Sequence, residues 1–133
     1  MVSDMDMERA HQRRIALWLF ICCALVAGMV ALGGLTRLTG SGLSMVDWAP
    51  VLGWLPPMNK AEWMAVFDLY KQSPEYKEIN VGMDLAGFQG IFWLEFIHRL
   101  LGRTIGLVFL LPFLYFLARR WIQRGLAPKL ALM

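Results

Sequence analysis

The sequence predicts an all-α integral membrane protein. Two transmembrane helices are joined by a long outer loop that carries an amphipathic helix, and the whole is expected to be part of a larger helical bundle. Three observations predict this. Of the 133 residues 58% are hydrophobic, and mean hydropathy is +0.51, values that suit a chain whose solvent is partly lipid. Two apolar runs approach or reach the roughly 20 residues needed to cross a bilayer core of about 30 Å. Lysine and arginine gather at the far ends of both runs, whereas the segment between them is rich in acids, the charge pattern of a membrane hairpin with both ends on one side.

Residues 1–14 read as a polar tail in which Arg9, Arg13 and Arg14 stand closest to the membrane. Residues 15–36 carry no charged side chain. At about 1.5 Å per residue this run spans ~33 Å as a helix, enough to cross. A cleaved signal peptide is the competing reading. Its apolar region is usually shorter and ends in a small-x-small site, but Gly33-Gly34-Leu35-Thr36-Arg37 follows here. The run is therefore read as a retained span.

Residues 37–87 form the loop, too long and too aromatic for a bare connector. Gly40-Ser41-Gly42, Pro50 and Pro56-Pro57 mark turns. Asn59 followed by Glu62 resembles a capping box. Trp63, Val66, Phe67 and Tyr70 then recur at helical spacing until Pro74, predicting an amphipathic helix over residues 60–72. Trp48, Trp54 and Trp63 are expected at headgroup level. An interfacial anchor and a lid over a buried ligand both fit this helix.

The second span is less direct. Residues 104–118 are uncharged, but they give only about 23 Å of helix, too short to cross. The helix is expected over residues 88–118, spanning from about residue 98, which sets Glu95, His98 and Arg99 at or just inside one membrane face. Pro112 lies within it, so a neighbour must satisfy the carbonyl that proline leaves unbonded. Residues 119–133 are basic through Arg119, Arg120, Arg124 and Lys129. The loop sets Arg37, Lys60, Lys71 and Lys77 against Asp47, Glu62, Asp68, Glu75, Glu78 and Asp84. Both termini are therefore expected in the cytoplasm and the loop outside. The closing Leu130-Ala131-Leu132-Met133 reads as the start of a further span, so a truncated chain is expected.

The net charge of +3 is modest and no basic-aromatic cluster is present, so nucleic acid is not an expected partner and membrane lipid is. Cys22 and Cys23 are adjacent. Neighbours on a helix point about 100° apart, which disfavours a disulfide between them, and they have no metal-site spacing.

The chemistry concentrates in Phe92-Trp93-Leu94-Glu95-Phe96-Ile97-His98-Arg99-Leu100-Leu101-Gly102-Arg103. Ionisable side chains at the edge of a membrane helix are costly and are usually functional. Glu95 and His98 are three apart and Glu95 and Arg99 four apart, so each pair shares a helical face. Gly102 is expected to leave a gap beside the imidazole, and with Gly106 it forms a GxxxG pair that lets a helix or a flat macrocycle approach. An interfacial histidine without function is the plain reading of His98. A di-iron bundle would need carboxylates that the first helix lacks, and the spacing excludes HExxH zinc chemistry. Haem ligation fits better: an imidazole can bind iron, and Arg37, Arg99 and Arg103 suit two propionates at the water interface. Snorkelling to headgroups is the alternative for those arginines.

Gly33-Gly34-Leu35-Thr36-Arg37-Leu38-Thr39, then Ser41-Gly42-Leu43-Ser44-Met45-Val46-Asp47-Trp48, resemble the segment after the first helix of heme A synthases. Pro56-Pro57, the pattern Trp63, Phe67, Tyr70, Pro74-Glu75-Tyr76, and Asn80 continue the resemblance. Glu95-x-x-His98-Arg99-x-x-Gly102-Arg103 is similar to the family's second-helix motif. The resemblance implies an eight-helix enzyme of two similar halves, in a bacterial or mitochondrial inner membrane. It would oxidise a methyl group of haem O to the formyl of haem A for cytochrome oxidase biogenesis. It implies haem O as substrate in the N-terminal half and a haem b cofactor in the C-terminal half, with haem O synthase and cytochrome oxidase assembly proteins as partners. On that basis His98 would be an axial ligand of substrate haem. Glu95 would be the catalytic carboxylate, assisting proton transfer or stabilising positive charge.

Two departures matter. Some members carry a cysteine pair in the first outer loop, and this loop has none. The only histidine besides His98 is His11, in the expected cytoplasmic tail, so the partner ligand is expected on a later helix and this segment alone is expected to be inactive. The rival readings are a non-enzymatic membrane assembly or anchor subunit and a haem b electron-transfer subunit.

Overall fold

Where each helix stops is decided by residues whose side chains or backbone can take over its unpaired end groups. The computed structural model describes residues 2–46, 54–122 and 126–132. Asp47, Trp48, Pro50 and Arg124, which entered the sequence expectations, lie outside the described residues. Helix α1 runs Val2–Leu38, so the polar residues ahead of Ile15 continue the same helix instead of forming a separate tail. It closes on Gly40, whose φ of +61° suits glycine. The Ser41 N–H donates to Thr36 O at 2.9 Å and the Gly40 N–H to Arg37 O at 3.3 Å, the two bonds of a Schellman ending.

Helix α2, Lys60–Tyr70, opens on Asn59, whose Oδ1 accepts from the Glu62 N–H at 2.9 Å. Glu62 reaches back to the Met58 N–H at 2.7 Å and the Asn59 side-chain amide at 2.8 Å, a variant of the reciprocal box. It ends two residues short of Gln72. A short helix α3, Pro74–Glu78, follows, capped by Ser73. Helix α4 runs Leu85–Ala118. It starts ahead of residue 88 because Asp84 Oδ1 accepts from the Gly87 N–H at 2.8 Å. Helix α5 is Ala127–Ala131. The described residues contain no strand.

The architecture is therefore all-α with two helices of membrane-spanning length and composition, Met5–Leu38 and Leu85–Ala118. Only 17% and 11% of their most apolar windows are buried. The core helix of a soluble protein would hide most of such a window, whereas a membrane helix leaves it to lipid or to neighbouring helices.

The chain divides into two compact units, Met1–Ala27 with Arg103–Met133, and Gly28–Gly102. In the first, Trp18 is the centre: it is buried and lies 5.3 Å from Phe109 and 5.5 Å from Phe116. Its indole N–H donates to Val108 O at 2.8 Å. Val108 is four residues before Pro112, so this is the carbonyl that proline, lacking an N–H, leaves unbonded. The neighbour that satisfies it is thus Trp18. Trp18→Phe removes that donor and is expected to destabilise the protein by about 1–3 kcal/mol, the cost of an orphaned buried acceptor. In a Pro112→Ala background, where residue 112 supplies its own N–H, the cost should largely vanish. Equal losses in both backgrounds, measured by unfolding in detergent, would refute the pairing. His11 stacks on Trp121 at 3.9 Å, and Cys22 and Cys23 are both free thiols.

In the second unit the apolar face of α2 is turned onto α4. Phe67 and Tyr70 pack with Phe88, Ile91, Phe92 and Phe96. Each such side chain contributes on the order of 1.5–3 kcal/mol by leaving water. Trp63, expected at headgroup level, stands against the rings of Phe92 at 5.0 Å and Trp93 at 6.1 Å, while Trp54 is 42% exposed. Tyr70 is wholly buried and its hydroxyl oxygen accepts from the Asn80 amide at 2.8 Å. Burial pushes the Tyr70 phenol above its ordinary value, opposed by the Asn80 bond and reinforced by Glu75, Glu95 and Tyr76. Through α2, the second unit covers the first turns of α4 up to the segment that carries Glu95.

Candidate functional site

Glu95 sits on α4 within the second unit and is only 6% exposed. A carboxylate in such a place must find donors or lose more in desolvation than it can regain. It finds four. Ser44 Oγ donates to Oε2 at 2.6 Å and the Met45 N–H donates to the same oxygen at 2.9 Å. Arg99 Nε donates to Oε1 at 3.0 Å, and Arg99 Nη2 donates to that oxygen as well. Nη2 also reaches Met45 O at 3.4 Å. Every partner of Glu95 donates, so the four lone-pair positions of a carboxylate are filled.

The segment that brings Ser44 and Met45 to α4 follows the end of α1. Ser41 is tied to Thr36 O, and Leu43 then turns the backbone at φ +69°. That region is sterically unfavourable for leucine, and such strain persists where the surroundings over-determine it. The Leu43 side chain is 67% exposed, so its own packing does not hold the turn. The hydrogen bonds of the next two residues to Glu95 do.

His98 lies three residues after Glu95 and is half-buried. Among the described residues no hydrogen bond engages its ring, which leaves the imidazole nitrogens available for ligation. A methyl group at Gly33 of α1 would stand 3.1 Å from His98 Nε2, so the bare backbone of Gly33 is what gives the imidazole its room. A methyl at Gly102 would meet Met29 Cε at 3.3 Å, so a methionine of α1 stands against that glycine.

Of the three arginines expected at propionates, Arg99 spends Nε and Nη2 on Glu95 and Met45. Arg37 is exposed in the last turn of α1. Arg103 is partly buried and belongs to the other unit. The structure thus brings Glu95 and Arg99 together and sets His98 beside Gly33, with no hydrogen bond to its ring among the described residues. Ser44, the Met45 N–H and Gly33 were not singled out from sequence, although all three lie in the motifs quoted above. Among the described residues no three His, Cys, Asp or Glu side chains converge on a metal position. A prosthetic group offering its own four ring nitrogens needs only an axial imidazole and space. Among the described residues no hydrogen bond engages His98, so it could supply that imidazole.

The family model for the cytochrome oxidase assembly protein COX15-CtaA matches residues 16–133. Heme A synthase of Nitrosospira multiformis is 53% identical over 95% of this chain and 35% of its own length. Heme A synthase of Paramagnetospirillum magneticum is 55% identical over 95% of the chain and 36% of its own. That of Caulobacter sp. strain K31 is 52% identical over the whole chain and 38% of its own length. No solved structure matches. Two helices long and apolar enough to cross a membrane define a helical protein of membrane type, and the chain belongs to the COX15-CtaA family of cytochrome oxidase assembly proteins. It spans about a third of the length of the curated relatives it matches.

Proposed function

We propose that this chain is the substrate-haem portion of a heme A synthase, which oxidises a methyl group of haem O to the formyl of haem A for cytochrome oxidase. The observation that carries the reading is the pairing, on one helical face, of a buried carboxylate with four donors and an imidazole that no hydrogen bond engages among the described residues. His98 serves as an axial ligand of the substrate haem, with its partner ligand and a haem b cofactor on the remainder of the longer protein. Glu95, ion-paired with Arg99, is the catalytic carboxylate, assisting proton transfer or stabilising positive charge. Arg37, Arg99 and Arg103 are the candidates for the propionates. Arg99 has a narrower part in that role, since two of its donor nitrogens are held by Glu95 and Met45.

The protein lies in the inner membrane with its N-terminus in the cytoplasm and the loop between α1 and α4 outside. A reporter fused near Lys71 should be active only on the outer side. The direct test expresses the longer protein in cells that make haem O but no haem A. Appearance of haem A in extracted membranes supports the proposal, and unchanged haem O with a normally accumulated protein would return the chain to a non-enzymatic assembly role.

Gly33 offers a separate check. Gly33→Ala in α1 should keep or raise stability, because alanine is favoured over glycine in a helix by about 1 kcal/mol. Its methyl would nonetheless press on His98 Nε2. Reduced substrate-haem content and an altered absorption spectrum are expected, and an unaltered spectrum would show that the imidazole does not depend on this glycine.

A further inference from the structure

We propose that Ser44 is a positioning residue for the functional carboxylate. Its hydroxyl, with the Met45 N–H, fixes the plane of the Glu95 carboxylate, with one oxygen toward the loop and the other toward Arg99. The inference rests on the role of Glu95 proposed above.

Ser44 is one of the few side chains with no exposed surface. Its Oγ lies 2.6 Å from Glu95 Oε2 and 3.3 Å from Ile91 O. A hydroxyl has one proton, and the shorter contact to a charged acceptor takes it. The two carboxylate oxygens are thereby divided: Oε2 accepts from the loop, Oε1 accepts only from Arg99. Turning the carboxylate out of this plane would weaken the bonds on both oxygens at once.

The loop is pinned at both ends, by Ser41 to α1 and by Ser44 and Met45 to α4. Between them Leu43 takes a backbone conformation unfavourable to it, with its side chain in the open. A loop serving only to connect helices has no need of that turn. A loop that must deliver one hydroxyl and one N–H to a single oxygen does.

The test uses the longer protein in membranes and reads two quantities separately: haem retained per protein, with its absorption spectrum, and haem A formed per bound haem O. Ser44→Ala is expected to retain haem within about twofold and to lower haem A formation at least tenfold, the scale of a lost hydrogen bond to a charged group. Ser41→Ala removes another fully buried hydroxyl from the same loop without touching Glu95. It should lower haem A formation less than about threefold, well short of the tenfold expected for a bond to charge. In a Glu95→Gln background, Ser44→Ala should add no further loss. Ser44→Cys, which keeps the shape but donates weakly, covers the case in which the alanine variant fails to accumulate, and it too should lose haem A formation.

Parental haem A formation by Ser44→Ala or Ser44→Cys, with Glu95→Gln inactive, overturns the proposal and spares the role of Glu95. Parental activity of Glu95→Gln overturns both. Equal losses of haem and activity in the Ser44 and Ser41 variants would also overturn it, as the mark of a loop that merely fails to fold.

Discussion

His98→Ala in the longer protein is expected to lose substrate haem, by about tenfold or more, while the protein itself accumulates normally. The size follows from the loss of an iron–imidazole bond, which no neighbouring side chain can replace. The stability of the variant follows from the structure. No hydrogen bond among the described residues engages the ring, and alanine is the best helix former, so α4 gives up little. Extraction of haem from the purified variant, with its absorption spectrum, checks the outcome. A parental haem content would remove His98 from the iron.

Glu95→Ala should behave in the opposite way, keeping haem but forming no haem A, with a loss of at least about 100-fold if the carboxylate takes part in the chemistry. It should also lower stability. The substitution leaves the Arg99 guanidinium, whose side chain is 22% exposed, without its counter-charge and releases Ser44 and the Met45 N–H. Breaking a buried pair from one side typically costs about 3–5 kcal/mol, and the partial exposure of Arg99 sets the expectation at the lower end. Normal haem A output from this variant would end the proposed role of Glu95. Glu95→Gln separates the two effects, because it keeps the volume while removing the charge.

Much of the fold was legible from local pattern. The uncharged run beginning at Ile15 and the run around Leu107–Leu111 demand long helices, because their backbone groups have no other partners in an apolar medium. Asn59 with Glu62 and glycine at position 40 act within a few residues of themselves, so their capping could be read or derived from spacing. The start of α1 was less legible. Residues 2–14 are polar, and polarity alone does not distinguish a solvated tail from the exposed first turns of a long helix. The apolar stripe of α2 was visible, but its protein partners, Phe88, Phe92 and Phe96, depend on what lies opposite.

The candidate site divides in the same manner. The spacing of Glu95, His98 and Arg99 placed two pairs on one helical face, since the helical repeat is a property of the chain itself. What the sequence alone determined about this protein was therefore its two long helices, its membrane character and the segment in which its ionisable side chains cluster at a helix edge. Only the tertiary structure decided the partners. Ser44 meets Glu95 across 51 residues, Trp18 meets the carbonyl left open by Pro112 across 90, and Gly33 stands against the imidazole of His98. Such contacts are set by where a turn delivers a backbone and how two helices abut. No periodicity records this, because it is a relation between segments and not a property of either one.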